Sequence, residues 1–101
     1  MDPAKPAKGY WIVHISVADA ENYPRYLAAA KIAFEKYGAK FLVRGGTFEL
    51  MEGASRDRHV VLAFETYEKA LACYRSPEYK EAAALRQAFA VSDLVVVEGF
   101  E

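Results

Sequence analysis

The run Arg75-Ser76-Pro77-Glu78-Tyr79 sets a guanidinium directly before what reads as a helix start. The Ser76 hydroxyl can cap free backbone N–H groups, Pro77 at the first helical position sacrifices no hydrogen bond, and Glu78 suits the positive end of the helix dipole. Arg75 and those N–H groups would form an anion seat; the alternative is helix capping plus a salt bridge. Tyr79 is one of several tyrosines at helical spacing, mostly core residues, of which one or two can present a hydroxyl to a cavity. A second candidate is Arg44-Gly45-Gly46, where backbone without Cβ is open to a ligand and Arg44 can clamp a carboxylate in a bidentate fork. An ion pair with Glu49, Glu52 or Glu98 would serve Arg44 equally well. The third is His14, central in an apolar run: a buried imidazole titrating near neutrality could act as acid, base or ligand, and is the candidate catalytic residue. It could also be a hydrogen-bonded histidine of a sheet or interface.

No self-sufficient catalytic motif accompanies these residues. Gly45-Gly46 is not a phosphate loop, since neither GxGxxG nor GxxxxGKS/T occurs, and no nucleophile elbow or Ser/His/Asp motif is present. His14 and His59 lack HExxH-type spacing, so no metal and no cofactor are expected, and His59, near a strand start, is expected at the surface. Cys73 lies on an apolar helical stripe with Ala70 and Leu71 and reads as a packing residue. The 13 basic and 14 acidic side chains leave a net charge of -1 without a basic stripe, which argues against nucleic-acid binding. No apolar run approaches the ~18 residues of a membrane span. Residues 1–8 lack the apolar core of a secretory signal and are expected to be a flexible leader to one domain at 9–101, in the cytoplasm.

The hydrophobic period, alternating between two and 3.6, supplies the elements that must position these groups. Tyr10 to Val17 reads as a strand. A helix capped at Asn22 runs to Tyr37, ended by Gly38, and the Asn22 cap keeps Pro24 within the first turn. Ala39 to Arg44 and Thr47 to Glu52 read as extended segments bent at Gly45-Gly46. Arg58 to Glu65 is the next strand, Thr66 caps a helix to about Tyr74, Ser76 opens another to about Phe89, and Asp93 to Gly99 is the last strand. The order β-α-β-β-α-β, with its second helix broken, predicts an α+β ferredoxin-like sandwich: an antiparallel sheet with the helices on one face. The strands, however, are apolar on both parities: Trp11, Val13 and Ile15 alternate with Tyr10, Ile12 and His14. A soluble chain hides a second apolar face most simply against a copy of itself, so a homodimer with sheets packed face to face is expected.

The segments KGYWIVHISV, FLVRGG followed by FELMEG, HVVLAFETYEKALACYRSPEYKEA and DLVVVEG together resemble the bacterial family called domain of unknown function 1330, in the dimeric α/β-barrel superfamily, over roughly residues 8 to 100. The resemblance implies a ferredoxin-like protomer, a barrel-like dimer and no established biochemical role. Related branches include cofactor-independent monooxygenases, haem-degrading enzymes, isomerases and stress-response proteins, so fold is a poor guide to function. Two readings stand. One is a non-catalytic dimeric module binding a small anionic or partly apolar metabolite through Arg44, Gly45, Gly46, Arg75, Ser76 and Tyr79. The other is a cofactor-independent enzyme in which His14 exchanges a proton while Arg44 or Arg75 orients the substrate; that reading needs His14 and an arginine in one pocket.

Overall fold

The computed structural model describes residues 6–100, so Met1 to Lys5 of the expected leader, and Glu101, lie outside the described residues. The chain runs β1 (Gly9–Val17), α1 (Tyr23–Tyr37), β2 (Lys40–Arg44), β3 (Arg58–Phe64), α2 (Tyr67–Arg75), α3 (Pro77–Phe89) and β4 (Ala90–Glu98). The four strands form one sheet in the order β2-β3-β1-β4 with every pairing antiparallel, the ferredoxin-like arrangement. Among the described residues no helix is long and apolar enough to cross a membrane.

Local chemistry sets the boundaries of α1. The Asp19 carboxylate accepts from the Asn22 backbone N–H at 3.2 Å and from its side-chain amide at 2.9 Å, tightening the turn that lets the helix begin at Tyr23 with Pro24 in its first turn. Gly38, at φ 69°, takes the left-handed position that ends it. Ser76 both closes α2 and opens α3: its Oγ donates to the Cys73 carbonyl at 2.7 Å and accepts from the Tyr79 N–H at 3.1 Å.

Only one parity of β1 is covered. Trp11, Val13 and Ile15 face the helices and are buried, and Trp11, 1% exposed, is the hub of the core. Its ring lies 4.8 Å from that of Tyr79 and 5.4 Å from those of Phe34 and Phe64, and its Nε1 donates to the Ala70 carbonyl at 2.9 Å. Gly9 lets β1 come this close to α2, because a Cβ there would sit 2.6 Å from the Tyr67 Cα. Ala7 and Lys8, within the expected leader, are tied down as well: their carbonyls accept from the N–H groups of Tyr67 and Gly99. The opposite parity carries Tyr10 and Ile12 on β1, Val61 and Ala63 on β3, and Val91, Val95 and Val97 on β4, with no helix over it.

Two expectations need correction. Thr47 to Glu52 is not a strand: Gly45 and Gly46, at φ 75° and 87°, turn the chain out of the line of β2, so residues 45–57 leave the sheet with no strand beside them. Past β2, the Gly45 N–H still donates to the His59 carbonyl at 2.9 Å. The last strand begins at Ala90, not Asp93, because Val91 and Ser92 pair with Ser16 and Ile15 and so continue the ladder directly from α3. Within β2, a bulge between Phe41 and Val43 keeps Phe41 and Arg44 on the helix side, opposite Leu62 and Val60.

Candidate functional site

Between α1 and the sheet lies a groove of about 300 Å³ lined by Leu27, Ala30, Lys31, Phe34, Glu35, Ala39, Phe41 and Arg44. It shares Leu27, Phe34, Phe41 and Arg44 with a smaller cavity of about 30 Å³, walled by core residues such as Trp11 and Val13 together with Tyr23, Tyr26 and Arg58. Because they share four lining residues, the two spaces form an outer groove with an inner pocket. Arg44 stands where they meet, its guanidinium 4.7 Å above the Phe41 ring, which leaves the edge N–H groups of the fork for a ligand. Arg58 enters from the start of β3, passes over Gly45 and keeps a buried Nε without a hydrogen-bond partner. A Cβ at Gly45 would lie 3.1 Å from the Arg58 Nη1, so this glycine makes room for the second arginine. Among the described residues neither Arg44 nor Arg58 has an ion-pair partner, whereas Glu35 is already within 3.9 Å of Lys31. The space is apolar on its walls and cationic at its centre.

Behind the inner pocket runs a buried polar chain. Arg86, 5% exposed, donates from Nη1 to the Tyr79 hydroxyl at 2.6 Å, and that hydroxyl is 2.8 Å from the Tyr26 hydroxyl. No carboxylate pairs with Arg86 among the described residues, and its Nε has no partner. Burial holds the Tyr26 and Tyr79 hydroxyls well above the usual phenol range, and it pushes Tyr23, at the pocket wall, up to about 12. Arg58 and Arg86 are candidate site residues that the sequence alone did not single out. A signal for Arg86 existed: it stands seven residues after Tyr79 and four after Ala82, on the buried stripe of α3.

The remaining sequence candidates fall elsewhere. Arg44 lines the groove, Gly45 lies against the Arg58 guanidinium, and Gly46 supplies the second positive-φ residue of the bend. Arg75 is exposed at the end of α2 and lines none of the described cavities, Ser76 is occupied by its two backbone bonds, and Tyr79 reaches the groove only through Tyr26. Glu78, beside Ser76, is held by Lys36 at 2.7 Å. Cys73 is fully buried, 3.8 Å from the Ala33 carbonyl, and burial pushes its thiol up to about 12.

His14 lies on the other side of the sheet. It pairs across strands with His59 and Asp93, its ring 4.9 Å from that of His59, and its buried Nδ1 has no partner. The 45–57 segment folds over this corner: Phe48 packs on His59 at 4.5 Å, Ser55 Oγ lies 3.3 Å from its Nε2, and Arg56 Nε donates to Asp93 at 2.8 Å. His59 is therefore half-buried, not the surface residue expected. His14 and Arg56 share a shallow depression, while Arg44 opens to the helix side, so His14 and Arg44 do not share a pocket. No group of three His, Cys, Asp or Glu side chains among the described residues is placed to hold a metal ion.

Fold and site together define a ferredoxin-like α+β protein with a ligand-sized groove between its first helix and its sheet. Residues 8–100 match the family described as domain of unknown function (DUF1330), and the chain belongs to it. No curated protein matches the sequence. Among solved structures, a protein of unknown function from Rhodopseudomonas palustris is similar at 21% identity and TM-score 0.74, over 96% of this chain and 85% of that one. SnoaB, a cofactor-independent oxygenase from Streptomyces nogalater, is similar at 12% identity and TM-score 0.62, over 94% of this chain and 95% of that one. A protein described as dimeric, of unknown function and ferredoxin-like fold, from Bacteroides fragilis, is similar at 14% identity and TM-score 0.53, over 91% of this chain and 96% of that one.

Proposed function

We propose that the chain is a cytoplasmic homodimeric binding module whose protomers each take a small anionic, partly apolar molecule into the groove between α1 and the sheet. The observation that carries this reading is the pair of arginines, Arg44 and Arg58, that line an apolar space without a carboxylate partner among the described residues. Arg58 is half-buried with its Nε buried and unpaired, Arg44 stands exposed where the groove meets the pocket, and a carboxylate offers both the counter-charge and the matching bidentate geometry. The dimer is supported by the uncovered apolar sheet face and by the dimeric description of the Bacteroides fragilis relative in fold. The enzymatic alternative draws on the fold shared with the oxygenase SnoaB. The geometry weighs against its His14-based form, because His14 opens to the side of the sheet away from Arg44.

Titration of the protein with phenylbutyrate, an apolar carboxylate, followed by amide chemical shifts, tests the reading. Saturable shifts at Leu27, Phe34, Phe41 and Arg44 are expected, and Arg44→Ala should weaken binding by about tenfold or more, the size of a lost hydrogen bond to a charged group. Shifts that do not saturate at millimolar concentration overturn it. Weakening by Arg75→Ala instead of Arg44→Ala would move the anion site to the junction of α2 and α3.

A further inference from the structure

We propose that the inner pocket carries a directed hydrogen-bond donor, the Tyr26 hydroxyl, so that the molecule bound in the groove bears an acceptor oxygen, such as a ketone, in addition to its carboxylate. This rests on the groove being the binding site and adds to it the chemical class of the ligand: oxo-carboxylates over plain carboxylates.

The direction of the donor follows from hydrogen-bond bookkeeping along the buried chain. A guanidinium has no acceptor, so Arg86 can only donate to Tyr79, and the 2.6 Å contact fixes the Tyr79 oxygen as acceptor. Tyr79 is fully buried, and its hydroxyl has one other neighbour among the described residues, the Tyr26 oxygen at 2.8 Å. A buried hydroxyl proton left unpaired is expensive, so Tyr79 spends its proton on Tyr26. Tyr26 has then accepted, and its own proton is left over. Its side chain is one of those lining the inner pocket, and its hydroxyl has no further hydrogen-bond partner among the described residues. Burial keeps the phenol protonated across the physiological range, so it retains a proton to donate. Chains of this kind polarise one another, and the uncompensated charge of Arg86 at the far end strengthens the last donor. The pocket, at about 30 Å³, has room for a carbonyl or a water but not for a ring. Arg86 and Tyr79 are in this account positioning residues, and Tyr26 is the group that touches the ligand.

The test compares two acids differing at one group: β-benzoylpropionate, which carries a ketone, and phenylbutyrate, which has a methylene in its place. Wild type should bind the ketone acid about tenfold more tightly. Tyr26→Phe should bring the ratio to about one, and Tyr79→Phe should lower the same ratio. Arg44→Ala should weaken both acids and keep the ratio. A wild-type ratio near one, or a ratio that survives Tyr26→Phe, overturns the donor while leaving the anion site standing. Binding of neither acid overturns the anion site. The donor is then decided by acetophenone against ethylbenzene, neutral probes that need no arginine: loss of a ketone preference in Tyr26→Phe sustains it, and no preference in wild type refutes it.

Discussion

The two faces of the sheet are built from the same strands and the same β-branched and aromatic residues, yet only one of them is finished within the protomer. On the helix side Trp11, Leu62, Phe64 and Tyr79 are almost completely buried and every ring has an aromatic neighbour. On the open side Val91 and Val95 remain 55% exposed, and the polar corner of His14, His59 and Asp93 is roofed only by the 45–57 segment. The difference teaches where each kind of chemistry can sit. A packed face with Arg86 buried behind it, Arg58 half-buried and Arg44 exposed at its edge can hold selectivity, while an unfinished apolar face asks for a second surface.

The largest effect should come from the finished face. Trp11→Ala removes the hub of the core and its indole hydrogen bond to the Ala70 carbonyl, and should cost about 3–5 kcal/mol of folding free energy, read by urea denaturation. A cost below ~1 kcal/mol would mean that the face is not packed as described. On the open face, Val95→Asp places a charge beside Ile12 at the middle of the sheet. The protomer should stay folded by circular dichroism, while sedimentation should show the proposed dimer weakened by ~100-fold or more, since an unpaired buried carboxylate has no compensation there. Wild type that sediments as a monomer at micromolar concentration sinks the dimer outright.

Capping tests the seam between the helices that cover the packed face. Ser76→Ala removes one hydroxyl that serves both α2 and α3, and should cost about 1–2 kcal/mol, the upper part of the range for a lost cap. A neutral result would show that the break between the helices is imposed by Pro77 alone. This junction was legible in the sequence because capping is local: Ser, Pro and Glu act within one turn of where they stand. The order of elements along the chain and the two apolar parities were legible too, being periodic. Arg44 was legible through its glycines. Arg58 was not, because a strand-start arginine gains its role only when the bend at Gly45 lays it across the pocket. The Thr47 to Glu52 segment alternates like a strand, but pairing is non-local, and nothing in its own residues says that no neighbour strand lies beside it.

The smallest effect belongs to the charges outside the packed face. Lys36 on α1 holds Glu78 at the start of α3 at 2.7 Å, and the hydrogen bond from Lys36 keeps the Glu78 carboxyl below the usual carboxylate range. A carboxyl whose folded pKa is depressed contributes stability that is present above its unfolded pKa and lost as pH falls through the folded one. The pair should therefore help at pH 7 and fade below about pH 4, near the ordinary glutamate value. Glu78→Gln should lower the melting temperature slightly at pH 7 in low salt, and the gap to wild type should narrow as the pH falls through the acid range and close in molar salt, because exposed ion pairs are screened. A gap that persists in acid would assign the contribution of Glu78 to packing over α1 and not to its charge, and the helix layer would then be held by shape on its outer side as well as its inner one.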